Sequence, residues 1–210
     1  MVKAYNKINS LRKKFMEDNK DKSFAYVEGS NSVLISAPHG VNQMRLGRVK
    51  MSEIGSLALA LYIAKMTGSS LIAKTRCDND DVNFDERSSY KDRCYKVIKD
   101  KDIKYVLDFH GLSPKHGIDV NLGTHLGNNI SSDMALFDRL EKSLKPYFNV
   151  SVDYPYMASA HTVSSSCKAR FPKVWSLQIE VDYTITNSGD REGQLEKLIH
   201  LLIDFVKGLR

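Results

Sequence analysis

Val106-Leu107-Asp108-Phe109-His110-Gly111 runs from an unbroken apolar segment straight into a carboxylate, an imidazole and a glycine. Strands buried on both faces of a parallel sheet read as continuous hydrophobic runs. Ligands of open α/β sheets collect beyond the carboxyl ends of such strands. This pattern places Lys104 to His110 in a central strand, with His110 at its functional end and Gly111 letting the chain turn away and leaving room for substrate. Asp108, two residues earlier, shares the strand face with His110.

Two further stretches have the same form. Val33-Leu34-Ile35-Ser36-Ala37-Pro38-His39-Gly40 is again a short apolar run that ends in His-Gly, and Val174-Trp175-Ser176-Leu177-Gln178-Ile179-Glu180 ends in an acid. Between them, helical and strand periods alternate. Ile8, Leu11 and Phe15 mark an amphipathic helix over 4–18. Ser23 to Val27 and Ser32 to Ala37 read as a hairpin turned by Glu28-Gly29-Ser30-Asn31. A polar loop from Asn42 to Lys50 leads to Ser52 as N-cap of a helix carrying Ile54, Leu57, Ala58, Leu61 and Ala64, which Gly68 stops. A strand Ser70 to Ala73 is followed by a very polar loop, Arg76 to Arg87.

Tyr90, Cys94, Val97 and Ile98 then give a helix, Ile118 to Leu122 a strand, Ser132 to Tyr147 a helix and Asn149 to Val152 a short strand. Tyr154 to Ala169 fits neither period. Val174 to Val181 is a strand, and after the turn Thr186 to Arg191 a closing helix carries Leu195, Leu198, Ile199, Leu202 and Val206. Alternating strands and helices indicate an α/β fold. No repeat, low-complexity tract or linker interrupts the chain, so residues 1–210 are expected to form one domain.

Composition narrows the function. With 42% hydrophobic and 27% charged residues, the chain is that of a globular protein. The net charge of +6 is scattered along helix faces without interleaved aromatics or a nucleic-acid-binding module, so no nucleic-acid partner is expected. No run of 18 apolar residues is present, and no membrane partner is expected. The N-terminus lacks the apolar core of a signal peptide, which points to the cytoplasm. Cys77, Cys94 and Cys167 are odd in number and lack a CxxC pair, so they read as reduced thiols. Nothing in the pattern specifies an oligomeric state.

Two imidazoles and a carboxylate at three strand ends suggest a metal site. A catalytic zinc takes three protein ligands and leaves a fourth position open. His39 and His110 supply two; Glu53 ranks first for the third, because it begins the helix that follows the His39 loop and its carboxylate can turn back to the strand ends. Asp81, Asp108 and Glu180 are the alternatives, and Asp108 equally suits an acceptor that orients the His110 ring. Iron, manganese or nickel also suit such a donor set. Glu180, a carboxylate at the end of an apolar strand, is costly to desolvate unless used, and is the general base and acid. Among Arg45, Arg48, Arg76, Arg87 and Arg170, the guanidinium groups of Arg45 and Arg87 are favoured to hold a substrate carboxylate or a developing oxyanion.

Other chemistries find less support. Ser164-Ser165-Ser166 has no nucleophile elbow, Cys167 reads as a buried thiol, and the Asp78 to Asp85 run lacks the glycine and terminal glutamate of a calcium loop. His116, His125, His161 and His200 read as structural or surface residues.

Four stretches in fixed order, Ser36-Ala37-Pro38-His39-Gly40, Asp81-Val82-Asn83, Leu107-Asp108-Phe109-His110 and Leu177-Gln178-Ile179-Glu180, resemble the SPHSG, DxNR, DLHS and LQxE blocks of the N-formylglutamate amidohydrolase family. The resemblance spans residues 32–183. It implies a zinc-dependent amidohydrolase with a three-layer α/β/α fold and a mixed, mostly parallel sheet, related to the zinc carboxypeptidase and aspartoacylase architecture. By position, His39 and His110 match the metal-binding histidines and Glu180 the catalytic glutamate. Asn83 joins Arg45 and Arg87 as a candidate for binding substrate. In place of the family's arginine after DxN stands Phe84.

The expected function is hydrolysis of the amide of a small N-acyl, possibly N-formyl, amino acid bearing a free carboxylate, with one zinc per chain on His39, Glu53 and His110. The alternatives are a carboxypeptidase-like or γ-glutamyl-peptide hydrolase using the same site, and a non-catalytic metal-binding or interaction module on this fold.

Overall fold

The structure, a computed structural model, describes residues 3–209. Its frame is a seven-stranded sheet formed by β1 (Phe24–Val27), β2 (Val33–Ala37), β5 (Ser70–Lys74), β6 (Tyr105–Leu112), β7 (Val120–Gly123), β8 (Val150–Val152) and β9 (Trp175–Asp182), in the order β1-β5-β2-β6-β9-β7-β8. Strands β5, β2, β6 and β9 run parallel, β1 and β7 pair antiparallel with β5 and β9, and β8 runs parallel to β7. The sheet is mixed and mostly parallel.

The two faces differ. Ile35, Leu107, Phe109, Leu177 and Ile179 pack into one apolar cluster with α1 (Ala4–Asp18), α2 (Ile54–Thr67), α4 (Met134–Leu144) and α7 (Glu192–Lys207). Leu34, Ile72 and Val106 pack on the other face with α3 (Ser89–Asp100) and α5 (Val163–Arg170). Helices therefore cover both sides, a three-layer arrangement. On the α3/α5 face, the side chains of β6 change from Val106 to Asp108 and His110, since residues two apart share a face. The register sets Gln178 beside Asp108 and Glu180 beside His110, and Asn121 of β7 beside Glu180. The carboxyl half of this face is thus polar in the middle of the sheet, where both core strands are buried.

Several local expectations are corrected. β1 and β2 do not form a hairpin; β5 lies between them. The Glu28-Gly29-Ser30-Asn31 segment is stapled to the end of α2 instead: Gly29 N donates to Ser70 Oγ (3.0 Å), Ser30 N to Gly68 O (2.8 Å) and Asn31 Nδ2 to Thr67 O (3.0 Å). A side chain at Gly29 would collide with the Ser70 backbone, 2.2 Å from an added Cβ, so the close approach that admits β5 needs glycine there. The loop after His39 folds into a two-stranded ribbon, β3 (Gln43–Arg45) and β4 (Arg48–Lys50). Its turn places Leu46 and Gly47 at positive φ, 51° and 74°, as a type I′ turn requires.

Ser52 is not the cap of α2; Glu53 occupies that position and makes no side-chain cap bond. Strand β6 continues through Gly111 to Leu112 instead of turning at the glycine. The Ser-rich segment contains α5, capped by Thr162, whose side chain accepts from Ser165 N. Its buried face carries Ser164 and Ser165 as well as Val163 and Cys167, so it shows no apolar stripe. Ser165 Oγ is satisfied within the protein by Asn129 Oδ1 at 3.1 Å. The predicted turn, Thr186 to Arg191, is preceded by the short helix α6 (Tyr183–Asn187), which takes in its first two residues and is capped by Asp182. The cysteines are free, Cys77 exposed and Cys94 and Cys167 buried. Among the described residues, no helix is long and apolar enough to cross a membrane.

Candidate metal centre

Three elements deliver three side chains to one point. His39 follows β2, Glu53 stands at the N-cap of α2 and His110 lies on β6. The loop between the first two is closed by a bond from Glu53 N to His39 O (2.8 Å). Gly111 admits the carboxylate: its N donates to Glu53 Oε2 at 2.9 Å, and an added Cβ would lie 3.2 Å from Glu53 Cβ. The room that Gly111 leaves is taken by Glu53. Gly40 serves the same end behind His39, where a Cβ would meet Leu57 and the Lys74 carbonyl at 2.8 Å.

The donor atoms converge. His39 Nδ1 is 3.0 Å from Glu53 Oε1, His110 Nδ1 is 3.1 Å from Glu53 Oε2, and the two Nδ1 atoms are 3.1 Å apart. The opposite ring nitrogens face carboxylates: His39 Nε2 lies 3.1 Å from Asp81 Oδ1 and His110 Nε2 lies 3.1 Å from Asp108 Oδ2. In the neutral rings such partners take the Nε2 hydrogen and leave Nδ1 as the free lone pair. Two lone pairs and a carboxylate then point at one another, an arrangement a cation relieves. A tetrahedron with arms of about 2.0 Å has edges of about 3.3 Å, close to the separations found. His39, Glu53 and His110 therefore fit a zinc-sized ion in both donor chemistry and spacing.

The surrounding carboxylates draw positive charge to this point, and without a metal they favour a proton on His110. Burial opposes a charge on His110, yet the carboxylates of Asp108 and Glu53 outweigh it and hold its pKa well above the usual imidazole range. Burial likewise opposes ionisation of Glu53, and the two histidines overcome it and hold it well below the usual carboxylate range. For Asp81, burial is again outweighed, by His39 and by Arg45, whose Nε lies 2.7 Å from Asp81 Oδ2. Asp81 and Asp108 thus stand behind the histidines, and neither faces the convergence point.

Glu180 behaves in the opposite sense. It is 5% exposed, and burial pushes its carboxyl up to about 8, with Glu53 adding to the rise and His110 opposing it. Its Oε1 accepts from Gln178 Nε2 at 2.8 Å. A carboxyl titrating near neutrality is suited to proton transfer.

His39, Glu53, His110 and Glu180 line one cavity of about 620 Å³, with Arg45, Lys50 and Tyr156 at its walls. Asn83 also lines it, but its amide is engaged: Nδ2 is 2.9 Å from His110 Nε2, and Oδ1 accepts from Val163 N at the start of α5. Arg87 is exposed in the loop before α3 and is not among the cavity-lining residues. His161 and His200 are exposed; His116 stacks edge-on against Tyr156, and His125 Nδ1 lies 3.2 Å from Ser165 Oγ. Lys50 and Tyr156 were not among the sequence candidates. Lys50 belongs to a ribbon of three-residue strands that leaves no periodic signal, and Tyr156 to the segment without a period.

No family model matches the chain, and no curated protein matches it in sequence. Among solved structures, it is similar to gene product Atu2144 from Agrobacterium tumefaciens, at 13% identity and a TM-score of 0.68, over 93% of this chain and 96% of that one. A bacteriophage poly-γ-glutamate hydrolase matches at 12% identity and a TM-score of 0.55, over 89% of this chain and 87% of that one. A metallo-carboxypeptidase from Burkholderia cenocepacia matches at 12% identity and 0.51, over 95% of this chain and 68% of that one. At such identities the likeness is one of fold.

Proposed function

We propose that the protein is a metal-dependent hydrolase, with zinc as the ion, acting on the amide bond of a small N-acyl amino acid with a free carboxylate. The observation that carries this is the convergence of His39 Nδ1, His110 Nδ1 and the Glu53 carboxylate, each imidazole backed by its own aspartate. The fold likeness to a metallo-carboxypeptidase and a poly-γ-glutamate hydrolase supports it. The four blocks similar to N-formylglutamate amidohydrolases support the amide as the bond cleaved.

A zinc ion held there supplies a Lewis acid that polarises a carbonyl and acidifies water. The chain's own groups do the rest. Glu180, whose pKa lies near neutrality, takes a proton from the attacking water and returns it to the leaving nitrogen. Arg45 binds the substrate carboxylate. Its Nε is fixed on Asp81 and its guanidinium lies 5.3 Å from the Phe84 ring centre, while among the described residues its terminal nitrogens make no hydrogen bond. A guanidinium so held presents its outer edge, ready for two parallel bonds to a carboxylate. Asp108 holds the His110 ring in place.

A γ-glutamyl-linked peptide is the second reading, supported by the likeness to the bacteriophage hydrolase. Metal analysis of purified protein, followed by turnover of N-formyl-L-glutamate, N-acetyl amino acids and γ-glutamyl peptides, tests both. We expect about one zinc per chain, lost together with activity in His110→Ala. Stoichiometric zinc retained by that variant refutes the ligand set; turnover confined to γ-glutamyl peptides selects the second reading.

A further inference from the structure

Of the lysines and arginines among the described residues, Arg45 and Lys50 line the cavity, and the proposed function so far uses only Arg45. Lys50 ends β4, and its backbone is held opposite Gln43 in the ribbon register. Gln43 is buried and doubly anchored: its side-chain nitrogen donates to the Pro38 carbonyl, and its oxygen accepts from Val82 N at 2.8 Å. The ribbon base is thereby tied to the residue before His39, which fixes where the Lys50 side chain starts.

From there, Lys50 Nζ reaches Glu53 Oε1 at 2.5 Å and the Met51 carbonyl at 3.3 Å. An ammonium has three hydrogens, so one remains for a further acceptor. Glu180 lines the same cavity. The ammonium therefore sits beside the donor set, in one cavity with Glu180, whereas Arg45 is drawn toward Asp81. Four buried or nearly buried carboxyl groups, Glu53, Asp81, Asp108 and Glu180, already crowd this centre. A further negative charge forming among them is costly unless a cation is placed to receive it.

We propose that Lys50 is a catalytic residue that stabilises the negative charge developing on the carbonyl oxygen of the scissile amide. The assignment rests on the hydrolase reading of the site. In the step, the oxygen of water bonds to the carbonyl carbon, the π pair moves onto the carbonyl oxygen beside the Lys50 ammonium, and the water proton passes to Glu180. On collapse, the C–N bond breaks, its electron pair leaves with nitrogen, and Glu180 returns the proton to it.

The test uses zinc-loaded wild type, Lys50→Met and Lys50→Arg, with zinc content measured first. Inorganic phosphate, a tetrahedral oxyanion, is titrated into each by calorimetry, and acetate serves as the planar carboxylate control. Lys50→Met is expected to keep its zinc and its acetate affinity while phosphate affinity falls about 100-fold, the scale of losing one oxyanion donor; Lys50→Arg restores most of it. On any amide that is turned over, the Lys50→Met loss falls on kcat at nearly constant KM. Phosphate binding in Lys50→Met equal to that of wild type, or no phosphate binding by the zinc-loaded wild type, overturns the assignment. Wild type that holds no zinc defeats the hydrolase reading itself, an outcome visible before any titration.

Discussion

Replacing Glu180 by glutamine should make the metal-stripped protein more stable in alkali and leave it nearly unchanged in acid. Glu180 is buried and its carboxyl titrates at about 8, against an ordinary value of 4.5. Between those two pH values the folded protein keeps a proton that the unfolded chain has released. The folded state binding more protons, stability falls as pH rises through this window. At 1.36 kcal/mol per pH unit, a displacement from 4.5 to about 8 amounts at most to about 5 kcal/mol. Glutamine keeps an oxygen to accept from Gln178 Nε2 and nearly the same volume, but carries no charge to bury. Urea unfolding at pH 5 and pH 9 measures the effect. We expect the two proteins to differ by no more than about 1 kcal/mol at pH 5 and Glu180→Gln to be the more stable at pH 9, by up to about 5 kcal/mol. Parallel stability curves for the two proteins would show that the carboxyl ionises as freely as in water, and the proton-transfer role loses its basis.

Two further substitutions separate the centre from its supports. Asp81→Asn leaves one acceptor oxygen where the carboxylate serves both His39 Nε2 and Arg45 Nε; zinc affinity, read by competition with a chelator, should fall about 10- to 100-fold, and an unchanged value removes Asp81 from the metal's support. Gly111→Ala puts a methyl group 3.2 Å from Glu53 Cβ and 3.3 Å from its Cγ, which should weaken zinc binding while shifting Tm by only a few degrees, about 1 kcal/mol of stability; wild-type zinc affinity in this variant argues against Glu53 as a ligand.

The layered fold was legible because its central strands are apolar runs and its helices carry stripes. What escaped was decided by contacts distant in sequence. Glu28-Gly29-Ser30-Asn31 has turn chemistry, and nothing local reveals that its hydrogen bonds go to Thr67, Gly68 and Ser70, admitting β5 between the two strands it joins. α5 was hidden because serine hydroxyls, satisfied inside the protein, replace part of the apolar stripe that marks a helix. Glu53 was placed by its position after the His39 loop, but the reason the strand can accept it, the absent side chain at Gly111, becomes visible only where β6 and the start of α2 meet.

The more general signal lies in β9. Trp175-Ser176-Leu177-Gln178-Ile179-Glu180-Val181-Asp182 alternates apolar and polar without a break, the pattern of a strand with one face in water. Yet all eight residues are buried, and the strand lies between β6 and β7 inside the sheet. A polar face enclosed in this way is costly unless its groups meet partners. Part of that cost is met within the strand, where Gln178 Nε2 donates to Glu180 Oε1 at 2.8 Å, and on β6 the polar Asp108 and His110 lie at the registers of Gln178 and Glu180. Strict alternation in a strand whose neighbour in the parallel sheet ends in Asp-x-His therefore marks a buried polar half-face. That half-face, left clear of the apolar packing of α3 and α5, is where His110 and Glu180 meet the side chains arriving from the His39 loop and the start of α2.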